Sequence, residues 1–127
     1  MKQFAYDESF DDVRLLEDEL SKLKASGWSI FEFPAEIGGK KEIFDYAKRT
    51  FPLDPPIGLG SSWDALSDSI GGGIEKLRGG GVVIVVKYNS RHKSSSAAAM
   101  ELIDILFGIK EFQFLNSMRM YCYRPKD

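Results

Sequence analysis

The sequence predicts an α/β domain: a small, mainly parallel sheet of three strands, with a fourth if the N-terminus joins it, packed with about four helices. Three observations point there. Val82-Val83-Ile84-Val85-Val86-Lys87-Tyr88 is apolar without alternation, the pattern of a central parallel strand covered on both faces. Short stretches rich in branched and aromatic residues alternate with longer ones whose apolar residues recur three and four apart. Loops bearing glycine or proline separate them, and strands alternating with helices imply parallel pairing through right-handed crossovers.

Element by element, residues 3–6 (Gln3 to Tyr6) form a short first strand. Ser9 or Asp11 caps a helix whose core side is Val13, Leu16, Leu20 and Leu23, ended by Ser26-Gly27. Trp28 to Phe33 is the next strand, closed by Pro34. After the Gly38-Gly39 turn, Ile43, Phe44, Ala47 and Phe51 mark the buried side of a second helix. Pro52, Pro55, Pro56, Gly58 and Gly60 exclude a helix from the loop that follows. A third helix starts at Ser61 or Ser62 and runs toward Leu77, and Gly79-Gly80-Gly81 resets the chain before the valine strand. Asn89 to Ser96 is a polar loop, Ala97 to about Lys110 a fourth helix, and Met118 to Tyr123 the last strand. No linker or repeat divides the chain, so residues 1–127 form a single domain.

Composition narrows the function. With 127 residues, 43% hydrophobic and 28% charged, the chain has the material for one soluble core. A net charge of −2 and a pI near 5.5 disfavour direct nucleic-acid binding, which calls for a basic face. The longest apolar run, Val82 to Val86, is far short of the roughly 20 residues of a membrane span, and the start is acidic before any apolar stretch, unlike a secretory signal. A lone cysteine, Cys122, forms no internal disulfide. These features predict a cytoplasmic protein.

The third helix carries the strongest functional signal. At about 100° per residue, Trp63, Leu66, Ile70, Ile74 and Leu77 fall within about 80° and make the core face. Asp64, Asp68 and Glu75 fall within about 40° of one another on the far side, with Gly71 and Gly72 extending that outer face. An acidic outer face is commonly just a solvated one, and Asp64 also suits the positive helix N-terminus or a capping box with Ser61. Yet Gly71, Gly72 and Gly73 each cost a helix roughly 1 kcal/mol relative to alanine. That expense calls for an early helix end or for close approach by another backbone. Together with the stiff loop before it, the helix would present a protruding anionic surface suited to the cationic cleft of an enzyme that handles phosphates.

Gly60-Ser61-Ser62-Trp63-Asp64-Ala65-Leu66-Ser67-Asp68 resembles the core motif of the barstar family of ribonuclease inhibitors, Gly-x-x-hydrophobic-Asp-Ala-Leu-x-Asp. The order of elements from Trp28 to Tyr123 agrees, leaving residues 1–27 as an added strand and helix. The resemblance implies a bacterial cytoplasmic protein that binds a basic ribonuclease, or another enzyme with a cationic site, and plugs it with this helix and loop. It assigns Asp68 as the acidic anchor, Asp64 as a second contact and Gly60 as the glycine that opens the helix. Gly58, Leu59, Ser61, Ser67, Gly71, Gly72 and Glu75 complete the expected contact surface. Ser67 stands where the family's best-known member has a tryptophan, and Gly58-Leu59 where it has two tyrosines. Such aromatic anchors commonly dominate interface energy.

Chemistry has less support. His92, the only histidine, sits in the cationic stretch Ser90-Arg91-His92-Lys93 with no metal-ligand spacing around it. Cys122 alternates with Met118 and Met120 as a core residue does. The glycine runs lack the strand-glycine-helix order and the Lys-Ser/Thr ending of phosphate loops. The sequence therefore predicts no catalytic residue, metal or cofactor, and leaves oligomeric state open. Two other readings compete with inhibition: a non-inhibitory interaction or scaffold module, and an α/β enzyme with a pocket at the C-terminal strand ends.

Overall fold

The computed structural model describes residues 5–58, 60–89, 95–112 and 117–125. Among them are four strands and four helices in the order β1 (Glu8–Phe10), α1 (Val13–Ala25), β2 (Ser29–Pro34), α2 (Lys40–Thr50), α3 (Trp63–Glu75), β3 (Val82–Lys87), α4 (Ala97–Phe112) and β4 (Met118–Tyr123). The strands make one sheet in the order β1-β4-β3-β2, and every pairing is parallel. The predicted α/β architecture is therefore the observed one, and the N-terminus does supply the fourth strand.

β3 runs between β2 and β4, with Ile84 opposite both Phe31 and Met120. Val82 to Val86 are each at most 1% exposed, because both faces of the sheet are covered. Alternation divides the strands between two apolar clusters. Phe33, Val82, Ile84, Val86, Met118, Met120 and Cys122 face the side where α2, α3 and α4 pack. Val83, Val85 and Tyr121 face the other side, where Leu16, Leu20 and Leu23 of α1 close the sheet. Residues that looked like an appendage thus provide an edge strand and the cover of one sheet face. Of these elements, α1 lies on the sheet face opposite the helix that carries the acidic residues.

The N-terminal boundaries differ from the predicted ones. The first strand among the described residues is Glu8–Phe10; Ala5 and Tyr6 of the predicted strand over residues 3–6 are not in a strand, and Gln3 and Phe4 lie outside the described residues. Tyr6 instead packs edge-on against Phe107 of α4 at 5.4 Å. Asp7 holds the start of the strand by accepting the Met120 N–H at 2.7 Å and donating its own N–H to the Met120 carbonyl at 2.8 Å. Ser9 lies inside β1, and the α1 cap is Asp12, whose carboxylate accepts the Arg14 N–H at 2.8 Å. Val13 is 44% exposed rather than core, since the second cluster offers apolar partners only from Leu16 onward.

One polar network ties α1 to β4. The buried Tyr121 hydroxyl donates to Glu19 at 2.7 Å and accepts from Arg119 at 3.2 Å, while the Arg119 guanidinium lies 4.8 Å over the Trp28 ring. Burial, and then the bond to Glu19, pushes the Tyr121 hydroxyl above its ordinary pKa of 10.0. A raised folded-state pKa favours the protonated, folded form, so this contribution is present below pH 10 and is lost as pH rises beyond it. Tyr121→Phe should lower stability by about 1 kcal/mol at neutral pH, because a half-exposed acceptor is left to water. It should also flatten the loss of stability on the alkaline side. Urea unfolding at pH 7 and at pH 10.5 checks both, and an unchanged alkaline slope would show that Tyr121 is not the group responsible.

Candidate functional site

The site is built where the loop 51–62 meets α3. Ser62 is the N-cap, its hydroxyl accepting the Ala65 N–H at 3.1 Å, an interaction usually worth about 1 kcal/mol. Ser61 does not pair with Asp64 as a capping box. Its hydroxyl donates to the Gly58 carbonyl at 2.7 Å and folds the loop onto the start of the helix. Asp64 is left in the first turn, where the helix dipole favours a negative charge.

Three sectors of α3 have different neighbours. Leu66, Ile70 and Ile74 are fully buried against the sheet, as predicted. Trp63 and Leu77 are only partly buried, and the Trp63 ring meets Phe44 edge-on at 4.9 Å. The second sector is covered by the loop. Asp54 donates its N–H to the Ser69 carbonyl at 2.9 Å, and the buried Ser69 hydroxyl donates to the Pro55 carbonyl. A Cβ on Gly72 would collide with the Asp54 carbonyl, and one on Gly73 with the Pro52 carbonyl. The glycine run is therefore explained by close backbone approach, one of the two causes the sequence allowed. Gly72 is a seat for the loop more than an extension of the open outer face.

The third sector holds Asp64, Asp68 and Glu75, all exposed. Asp64 and Asp68 stand one turn apart, roughly 6 Å between Cβ atoms. Both remain exposed, and α1 lies across the sheet from them. Ser67 and Gly71 are partly buried beside this strip, and a Cβ on Gly71 would meet nothing within 4 Å. Between α3 and α4 lies a cleft of about 490 Å³ lined by Asp68, Gly71, Glu75, Gly108, Ile109 and Phe112, with Ser67, Gly72 and Ile105. Phe112, 74% exposed, is the most exposed of the large apolar side chains among the described residues.

The loop's other flank has the opposite sign. Gly58, Gly60 and Ser61 border a cavity of about 370 Å³ whose remaining walls are Lys40, Lys41, Phe44, Asp45 and Lys48. The Lys40 ammonium lies 5.3 Å from the Phe44 ring centre and 5.8 Å from that of Trp63. Gly60 takes a φ of 75°, open to a residue without a side chain, at the turn into the helix. Leu59, between these glycines, lies outside the described residues, as does His92.

Asp64, Asp68, Glu75, Ser67 and Gly71 thus share one face, while Gly58, Gly60 and Ser61 lead toward a lysine-lined flank. Reading the sequence missed Ser69, Pro52 and Asp54, which hold the loop to the helix, and Phe112. Only the three glycines signalled the first group. Phe112 gave no signal, because its neighbour across the cleft comes from a distant part of the chain. Cys122 is buried, which pushes its thiol above the ordinary pKa and disfavours the reactive thiolate. Among the described residues no cluster of three or more His, Cys, Asp or Glu side chains gathers as a metal site would, and no helix is long and apolar enough to cross a membrane. Comparison with protein families, with curated proteins and with solved structures finds no match to this chain.

Proposed function

We propose that this chain is a bacterial cytoplasmic protein that, like the barstar family its motif resembles, inhibits a basic ribonuclease by seating α3 and the preceding loop in the nuclease's cationic active site. The observation that carries the reading is the exposed pair Asp64 and Asp68 on a helix braced by loop backbone at Ser69, Gly72 and Gly73. The carboxylates would occupy phosphate sites and accept charge-assisted hydrogen bonds from Arg, Lys or His⁺. Bracing matters because a surface already held in its binding geometry gives up less conformational freedom on association. Complementary charge would also speed encounter and make it sensitive to salt. No bond is made or broken, and no cofactor is needed. The test is titration against a panel of basic bacterial ribonucleases, reading residual RNA cleavage at low and high salt. Inhibition that weakens with salt supports the proposal; a panel left fully active at stoichiometric excess overturns it.

One observation favours a second reading, a non-inhibitory interaction module. Lys40, Lys41 and Lys48 flank the same loop, and a basic nuclease would repel them. A two-signed surface also suits a partner with both signs, including a second copy that sets its acidic strip against this lysine flank. Sedimentation at 50 and 500 mM salt separates the readings, since a salt-sensitive oligomer in the absence of nuclease favours the module.

A further inference from the structure

The cleft between α3 and α4 has a floor without side chains, an acidic wall and an aromatic rim. Gly71 of α3 and Gly108 of α4 supply the floor: a Cβ built on either meets nothing within 4 Å, so the backbone is open from both sides. Asp68 and Glu75 stand on the α3 wall, and no lysine or arginine is among the described residues that line the cleft. Lys110, the basic residue of the last turn of α4, is turned to Asp7 at 3.4 Å, and Lys76 to Asp54, so neither neutralises Asp68 or Glu75. Phe112, 74% exposed, lines the same cleft from α4, and Ser67 lines it from α3 without a large side chain.

We infer that this cleft receives an arginine side chain of the basic partner, with Phe112 of α4 supplying the aromatic contact that α3 lacks at Ser67. Each part of an arginine has a counterpart here. Its methylene stem would lie along Ile109 and the glycine floor, which lets a chain approach closely. The guanidinium would donate to the carboxylates of Asp68 and Glu75, one on each edge of its donor fork, and stack on the Phe112 ring. Lysine fits less well, because a point charge neither forks between two carboxylates nor stacks flat on a ring. The inference takes the partner's basic character from the proposed inhibitor role, and adds which side of α3 meets that partner and which helix shares the contact.

A direct test uses capped Gly-Arg-Gly peptide as the probe, with its citrulline counterpart as the uncharged control, in ¹H–¹⁵N spectra of the full chain. The expected result is saturable shifts at Ser67, Gly71 and Gly108 with arginine and not with citrulline. Asp68→Asn, Phe112→Ala and the cleft-filling Gly108→Leu should each weaken binding roughly five-fold or more. Gly108→Leu keeps the test independent of misfolding, since leucine is a better helix former than glycine and the site is open. Shifts scattered over the acids of α1 as strongly as over the cleft, or arginine binding indifferent to Phe112→Ala and Gly108→Leu, overturn the inference. The same variants against an inhibited ribonuclease separate the two proposals. If no nuclease is bound but the peptide still titrates the cleft, the inhibitor role falls and the arginine site stands. If Asp68→Asn weakens the nuclease complex but the two α4 variants alter neither complex nor peptide binding, the inhibitor role stands and the cleft assignment falls.

Discussion

Asp68→Ala is expected to weaken binding to an inhibited ribonuclease roughly 30- to 4,000-fold while leaving the unfolding midpoint unchanged. The two halves of that expectation have separate causes. In the free chain Asp68 is exposed and has no buried partner to lose, so truncation should shift stability by no more than about 0.5 kcal/mol. In a complex the carboxylate would be desolvated against the nuclease's cations, and removing it strands those cations without a counter-charge. Truncation of one member of such a pair typically costs about 2–5 kcal/mol, much of it the penalty on the group left behind. The loss should appear chiefly as faster dissociation, with a smaller slowing of association that vanishes at high salt. Asp64→Ala should cost less, because Asp64 in the first turn also interacts with the helix N-terminus whether or not a partner is present. Surface plasmon resonance at two salt concentrations, beside urea unfolding of each variant, checks all of this. An Asp68→Ala protein that binds as tightly as the parent would falsify the inhibitor reading.

Gly73→Ala is expected to destabilise the fold by about 2–4 kcal/mol, although glycine to alanine inside an exposed helix normally stabilises by up to about 1 kcal/mol. The sign reverses because the new methyl would collide with the Pro52 carbonyl, which is backbone and cannot rotate away. Overpacking of this kind costs about 1–3 kcal/mol or more. Relief by moving the loop would break the Asp54 N–H bond to Ser69 and the Ser69 hydroxyl bond to Pro55, at about 1 kcal/mol each. Against a typical total of about 5–15 kcal/mol this is a large fraction, and thermal unfolding should come earlier by about 10 °C. Gly72→Ala should lose stability for the same reason, against the Asp54 carbonyl, whereas Gly71→Ala, which meets open space, should gain up to about 1 kcal/mol. Three neighbouring glycines with opposite responses make the test internal to one helix. Equal stability in Gly71→Ala and Gly73→Ala would show that the loop does not brace α3.

How far the site was legible in the sequence follows from the range of each signal. The core stripe Leu66, Ile70, Ile74 and the outer acids Asp64, Asp68, Glu75 lie on one helix, so a period of 3.6 residues sorts them without knowledge of any neighbour. The unbroken Val82–Val86 run works the same way, since only a strand covered on both faces has use for it. The N-terminal boundaries were harder to read: β1 has three residues, too few for alternation to establish a frame, and Ser9 and Asp11, the caps the sequence suggested, both lie just before the actual cap Asp12. The Gly71–Gly73 run stated that something must come close without saying what.

By itself, then, the sequence determined the α/β class, the identity of the central strand and the division of α3 into an apolar and an acidic face. These depend on periodicity, which the backbone imposes within a few residues. Tertiary structure alone decided that α1 closes the sheet face opposite the acids, that Pro52 and Asp54 press their carbonyls onto Gly73 and Gly72, and that Phe112 stands across a cleft from Asp68. Each of those joins residues far apart along the chain. The loop's seat and the cleft's rim arise only when helices and loops close over a common sheet, and no local pattern records which partners that closure brings together.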